Sequence, residues 1–386
     1  MSPQAEEAVL ETTEPTAPIA APRTLDDLDR IVDLYYLEPV TGAPVETART
    51  GGQGAYVYYG PPQRADLRGT ELADWVDRLQ AKITEQFPAE EDFRIEFEGR
   101  TFRGCRDHSG LTTEVALRRL PKDVPLMSDL NFDHAASRLL LEAPWLNQGG
   151  LVMFCGLTGQ GKTTLAGATV RTRLERYGGR CVTVEDPAEL PLEGFFGEGA
   201  CRQLQVNYTA ADPWRRGFAG AMRRAYRKLP ATRPAMLYVG EVRDNETAVE
   251  LVKAALNGML VITTIHAHDP IAAVTRLVTM AEQTLGDSAS LLVGQALRLV
   301  MHHKLVLSSK SDGWKRGEFF GQLLYSDADN HPVANLIRTQ RYAQLMQVQN
   351  FQMSHVRNAH RAGMSAGELM LEIGSKSPAM STYAPK

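Results

Sequence analysis

The stretch LVMFCGLTGQGKTT, residues 151–164, decides the fold. Its first half is an unbroken apolar run of strand length. Its second half matches G-x-x-x-x-G-K-[ST], with Gly156, Gly161, Lys162 and Thr163 in the required places. Residues 162–177 continue as a helix, stopped by Gly178 and Gly179. Glycines let backbone N–H groups close around phosphate oxygens, and the helix N-terminus adds partial positive charge. In such a loop Lys162 reaches the outer phosphates and the Thr163 hydroxyl ligates Mg²⁺. The expected phosphate-binding set is Gly156, Thr158, Gly159, Gly161, Lys162, Thr163 and Thr164. The competing reading is a glycine-rich turn that happens to hold Lys-Thr. The strand before it and the helix after it weigh against that at roughly nine to one.

Working outward, further apolar strands are expected at 181–186 (CVTVED), 236–241 (MLYVGE) and 260–265 (LVITTI). Helices are expected at 212–228, with Asp212 as cap and Pro213 at the first position, and at 245–257, ended by Gly258. Strands alternating with helices specify α/β architecture, a parallel sheet covered on both faces. Upstream the pattern differs. Helices are expected around 27–36 and 65–86, a hairpin at 92–107 turning at Glu98-Gly99, and a strand at 112–120. The expected organisation is a disordered tail at 1–25, an α+β domain at 26–140, and an α/β domain at 141–386 whose end is helical and then frayed.

The composition (43% hydrophobic, 23% charged) is that of an ordinary globular chain, and 386 residues suit two or three domains. The net charge of -4 argues against nucleic acid as a direct partner. Cys105, Cys155, Cys181 and Cys201 form no C-x-x-C pair, and Cys155 and Cys181 read as buried free thiols in a reducing compartment. No run approaches the ~18 apolar residues of a membrane span. The first 22 residues carry four glutamates and no basic residue, unlike a secretory signal. The expected location is cytoplasmic, with membrane contact only through partners.

Two carboxylate segments follow the phosphate loop. VEDPAEL (184–190) puts Glu185 and Asp186 at the C-terminal end of a strand, where α/β sheets hold ligands, and VGEVRDNET (239–247) does the same for Glu241. Phosphoryl transfer to water needs one carboxylate to position the nucleophile and another group to organise Mg²⁺. Taken singly, each carboxylate is as readily a solvated loop residue or, for Asp244, a helix cap. TTIHAHDP (263–270) ends the next strand with His266 and His268 two residues apart. A zinc site would need three or four ligands, from Asp269 and His302 or His303, with no cysteine nearby in sequence. A structural hydrogen bond, or a neutral histidine donating to a γ-phosphate or neighbouring carboxylate, are the other readings. No guanine-selecting NKxD is present, which weakens a GTPase reading.

In this order the four segments resemble the secretion ATPases of type II and type IV secretion and of type IV pili, over roughly residues 94–304. There they correspond to the phosphate loop, the Asp box, a Walker B ending in Gly-Glu, and the His box. EDP and GEVRD-x-ET look closest to the pilus-retraction branch, and TTIHA-x-x-P to the type IVB secretion and conjugation ATPases (DotB/TraJ-like). The resemblance implies a RecA-like P-loop ATPase domain after an α+β, PAS-like N-terminal domain, assembled as a homohexamer and using ATP and Mg²⁺. It implies Glu185 as general base, Glu241 as organiser of Mg²⁺ through water, and His266 as γ-phosphate sensor. Arg94 and Arg118 fall where the family has phosphate-contacting arginines, with Arg106, Arg119 and Arg227 as alternatives. His268 has no firm counterpart. The implied activity is an ATP-hydrolysing motor energising type IVB secretion or conjugative transfer. A pilus-retraction ATPase and a slowly hydrolysing, nucleotide-gated scaffold are the alternatives, and Glu185, Glu241 and His266 together favour turnover. Implied partners are inner-membrane secretion components and cytoplasmic ATPases, with peripheral recruitment to the inner membrane.

Overall fold

The computed structural model describes residues 21–362 except 32, 40–54, 61–62, 68, 89, 110–111, 131, 133, 209, 231–234, 305–306, 311–312, 317–320 and 328–330. The chain forms two compact units. One runs to Arg119 and takes in Leu307–Gly317, and the other holds Leu120–Val306 and the chain from Glu318.

The first unit contains β1 (Asp33–Pro39), β2 (Tyr56–Gly60), β3 (Gln63–Asp66), helix α1 (Leu72–Gln86), β4 (Asp92–Phe97), β5 (Arg100–Ser109) and β6 (Thr112–Leu120). Its sheet order is β3-β2-β1-β6-β5-β4. α1 buries Leu72, Trp75, Val76, Leu79 and Ile83, spaced to form one face, against Phe93, Ile95, Phe97 and Phe102. Trp75 meets the Phe97 ring edge-on, centroids 5.4 Å apart. The expected hairpin forms, its turn using left-handed Glu98 (φ 47°) and Gly99 (φ 72°). The strand at 112–120 also forms.

Two expected helices of this region are corrected. Residues 27–36 are not a helix: a 3-10 turn, Leu25–Arg30, gives way to β1. Leu34 and Tyr36, two apart, bury the same face of an extended chain, so period two overrides the short helical pattern. Residues 65–86 begin as the end of β3, with Ala65 and Leu67 both buried, and become helical only at Leu72. Gly69 turns the chain between them at φ 69°. Of the expected tail at 1–25, residues 1–20 lie outside the described residues, as do 363–386 at the other end.

The second unit begins with α2 (His134–Glu142) and continues through β7 (Gly150–Cys155), α3 (Lys162–Tyr177), β8 (Gly179–Glu185), β9 (Gly194–Phe196), β10 (Gly199–Gln205), α4 (Gly217–Tyr226), β11 (Ala235–Val239), α5 (Asn245–Leu256), β12 (Leu260–Ile265), α6 (Pro270–Leu285), α7 (Ser288–Ala296) and β13 (Leu297–His302). A two-stranded hairpin of the first unit, β14 (Leu307–Lys310) and β15 (Gly313–Arg316), interrupts this run in sequence. The second unit then ends with β16 (Gln322–Tyr325), α8 (Pro332–Arg338) and α9 (Tyr342–Ala362). The sheet order is β16-β13-β7-β12-β11-β8-β10-β9. From β13 to β10 every pair is parallel, with antiparallel β16 and β9 at the edges. Every residue of β7 and β12 is buried, as a sheet covered on both faces requires. Leu151, Met153 and Cys155 face one core with α4 to α8, while Val152 and Phe154 face the other with α2 and α3.

The division falls at Arg119/Leu120 rather than near 140. Val124, Met127, Ala135, Leu139 and Leu140 bury their side chains in the same core as α3. The expected helix at 212–228 is also corrected. Pro213–Arg215 forms a 3-10 turn, Arg216 is extended (ψ 153°), and α4 starts only at Gly217 (φ 64°). Asp212 caps that turn, accepting from the Trp214 N–H at 3.0 Å, instead of capping the helix.

Trp75 fills the centre of the first unit's core. Trp75→Ala is expected to destabilise that unit by about 3–5 kcal/mol, read as a lowered urea midpoint for that transition.

Candidate functional site

The parallel register brings four loops to one edge of the sheet. Cys155 pairs with Ile265, Thr263 with Val239, and Val239 with Val184, so the loops leaving β7, β12, β11 and β8 emerge side by side. Backbone and hydroxyl bonds tie these loops together. Gly240 N donates to Val184 O (3.0 Å), Val242 N to Thr264 O (3.0 Å), and the Thr264 hydroxyl to Gly240 O (2.6 Å).

Between β7 and α3, Gly159 (φ 77°) and Gly161 (φ 81°) adopt the left-handed conformation that turns the loop into the helix. His303 backs the loop. Its N–H donates to Cys155 O at 2.7 Å, and its carbonyl lies 2.6 Å from where a Cβ on Gly156 would sit. Lys162, the first residue of α3, is 6% exposed and curls inward to donate to Leu157 O at 2.8 Å. Burial pulls its pKa down, and the nearby Glu241 charge opposes that. Thr163 and Thr164 occupy the next positions of the helix. A helix N-terminus, two left-handed glycines and a buried ammonium close to a carboxylate fit a polyphosphate with a divalent cation.

Glu185, the last residue of β8, is 2% exposed. Burial raises its pKa and the Glu189 charge adds to this, while the hydrogen bond from the Gln203 amide works against it. Asp186 accepts from the Tyr208 hydroxyl at 2.9 Å. Glu241, just past β11, ion-pairs with Arg243 through Oε1, and its Oε2 lies 3.4 Å from His266 Nε2. His266 follows β12, and its carbonyl accepts from Arg276 at 2.8 Å. Burial and then the Lys162 charge push the His266 pKa down, so the imidazole is neutral near pH 7. The two histidines of TTIHAHDP therefore part. His266, 43% exposed, lies beside Glu241, while His268, 78% exposed, lies 3.1 Å from Asp269, which caps α6 through Ala272 N. Among the described residues no three His, Cys, Asp or Glu side chains gather as a metal centre.

The arginines divide differently. Arg94 is exposed on β4, opposite Arg103. Arg118 lies 2.7 Å from Asp33 at the surface. Arg106 is buried and donates to Phe87 O and Glu90 O, which makes it a brace of the first unit. Arg119 donates to Leu28 O, and Arg227 is exposed at the end of α4. The place of three residues in the second unit's site escapes a reading of the sequence alone, His303 having been named there only as a possible zinc ligand. Arg243 stands in plain view two positions past Glu241, but Gln203 and His303 carry no local signal: β10 and the end of β13 reach the site only through pairing.

A glycine-rich phosphate loop, two acidic strand ends and a histidine on one edge of a parallel sheet define the RecA-like P-loop class. Residues 84–366, well over half of the chain, match the Type II/IV secretion system protein family, and the chain belongs to that family. It is 36% identical to the type II secretion system protein E of Pseudomonas aeruginosa over 190 residues, 48% of this chain and 34% of that one. It is 35% identical over 173 residues to the type IV pilus assembly ATPase TfpB of Acinetobacter baylyi, covering 44% of this chain and 27% of that one. The chain thus spans about a third of the length of the curated relatives it matches. Its fold is similar to that of the pilus retraction motor PilT with bound ADP (TM-score 0.60, 21% identity, 91% of each chain). It is also similar to the ATPase DotB of Legionella pneumophila (TM-score 0.58, 22% identity, 91% and 93%).

A carboxyl whose pKa is raised by folding holds its proton more tightly when folded, so the fold is penalised as pH climbs above the ordinary 4.5. Glu185→Gln removes the buried charge and keeps the oxygen that Gln203 bonds. The expected result is a melting temperature above wild type at pH 8, with the gain shrinking toward pH 4.5, measured by calorimetry.

Proposed function

We propose that this chain is a hexameric, ATP-hydrolysing motor that energises type IVB protein secretion or conjugative transfer. The observation that carries the reading is the convergence of Lys162, Glu185, Glu241 and His266 on one sheet edge, joined by hydrogen bonds between the loops. Lys162, released from Leu157 O, and the N–H groups of Gly159, Gly161, Thr163 and Thr164 hold the phosphates. Gly156 and Thr158 shape the loop. Thr163, with Glu241 acting through water, would hold Mg²⁺, which would supply charge neutralisation on the phosphate oxygens.

In the hydrolytic step a water oxygen bonds the γ-phosphorus, the bridging β–γ oxygen leaves with ADP, and Glu185 takes the water's proton. Burial suits Glu185 to this: a raised pKa makes its carboxylate a stronger base. Neutral His266, beside Glu241, registers whether a γ-phosphate is present. On the resemblance alone, Arg94 and Arg118 supply further positive charge to the phosphates, and the first unit is a PAS-like domain. The type IVB choice rests on TTIHA-x-x-P, and the pilus-retraction reading on EDP and GEVRD-x-ET. Among the described residues no helix is long and apolar enough to cross a membrane, which supports recruitment to the inner membrane through partner proteins.

Lys162→Ala is expected to abolish ATP turnover. Glu241→Gln is expected to bind a fluorescent ATP analogue normally while losing at least about 100-fold in kcat. Wild-type turnover by the Lys162→Ala variant would overturn the motor reading. Complementation separates the two branches: rescue of effector export or plasmid transfer supports type IVB work, and rescue of twitching motility alone supports pilus retraction.

A further inference from the structure

Glu185 reaches the site with almost no exposed surface, and something must keep its carboxylate both oriented and charged. Gln203, on the neighbouring strand β10, donates from Nε2 to Glu185 Oε1 at 2.9 Å and to Leu190 O at 2.9 Å. Its Oε1 accepts from Glu193 N at 3.1 Å, and its own N–H donates to Glu193 Oε2 at 2.6 Å. These contacts leave the amide one orientation. Turned over, its oxygen would face two acceptors and its NH₂ would face an N–H donor. Gln203 can therefore only donate to Glu185, and the same amide closes the loop that leaves β8.

We infer that Gln203 is the positioning residue of the proposed general base, holding the Glu185 carboxylate ionised and aimed while closing the Asp-box loop behind it. The inference rests on the reading of Glu185 as base. The other groups facing Glu185 act differently. Glu189 in the same loop repels it through its side-chain charge while its backbone N–H favours the charged form. The Tyr238 phenol on β11 and the Cys181 thiol on β8 are both pushed well up by burial and stay neutral. The Thr183 hydroxyl, two residues back on β8, is buried and finds no hydrogen-bond partner among the described residues. The Lys162 ammonium is influenced by Glu241 and Glu189. A donated N–H stabilises the charged form of a buried carboxylate directly, so Gln203 partly offsets the cost of burial.

The test compares Gln203→Met, which keeps length and removes the donor, with Gln203→Glu, which sets an acceptor against an acceptor. In Gln203→Met, the acidic limb of the kcat profile is expected to move up by about one pH unit, so that kcat falls about tenfold at pH values on that limb and only severalfold or less at pH 7. KM for ATP should stay within about twofold, and activity should recover toward pH 9. Gln203→Glu should move the limb further. In nucleotide-free protein, the Glu185 carboxyl resonance in a ¹³C titration, assigned with Glu185→Gln, should move the same way. If Gln203→Met does not fold, Gln203→Asn, which shortens the amide's reach, gives the same reading. Folded variants with an unmoved limb and an unmoved titration overturn the inference, as does a kcat loss equal at every pH. Retained turnover in Glu185→Gln would instead overturn the general-base reading, while the titration still decides whether Gln203 governs Glu185.

Discussion

The parallel register of β7, β12, β11 and β8 is the constraint on which the rest of the second unit depends. One residue of slip in any of these strands would turn its core side chains to the opposite face and shift its loop away from the common edge. Burial on both faces makes such a slip costly, since β7 and β12 have no exposed side to receive a displaced residue. The short bonds from Gly240 to Val184 and from Thr264 to Gly240 then turn strand register into loop position. Lys162, Glu185, Glu241 and His266 are held together because their strands cannot move independently.

The same packing sets the chemistry. Lys162 and Glu185 are both nearly inaccessible, and burial pushes their pKa values in opposite directions, each toward the neutral form. The site therefore holds charge that the fold disfavours and a bound polyphosphate with its cation would favour. The hydrogen bond to Glu185 from Gln203 moderates that cost without removing it.

Much of the second unit was legible in the sequence. The helix at 162–177 and the strand at 260–265 match their expected limits, because a glycine loop and continuous apolar runs are strong local signals. The first unit was less legible. The segments at 27–36 and 65–86 carry short patterns that suit a helix or a strand equally, and only pairing with neighbours selected strands for Leu34, Tyr36 and Ala65. At 212–228 the capping signal was real but served a 3-10 turn, since Gly217 adopts a left-handed conformation that a helix interior does not allow.

By itself, the sequence determined which residues make up the candidate phosphate site, because loop, acidic strand ends and histidine each depend on residue type and near spacing. It also determined the α/β class of the unit that holds them. Only the tertiary structure decided that His266 turns to Glu241 while His268 turns to Asp269. Only it decided that Gln203, distant in sequence, reaches Glu185, and that residues 120–140 belong to the second unit. These outcomes depend on which strands lie beside one another and which core an apolar side chain finds, and both are relations between distant parts of the chain.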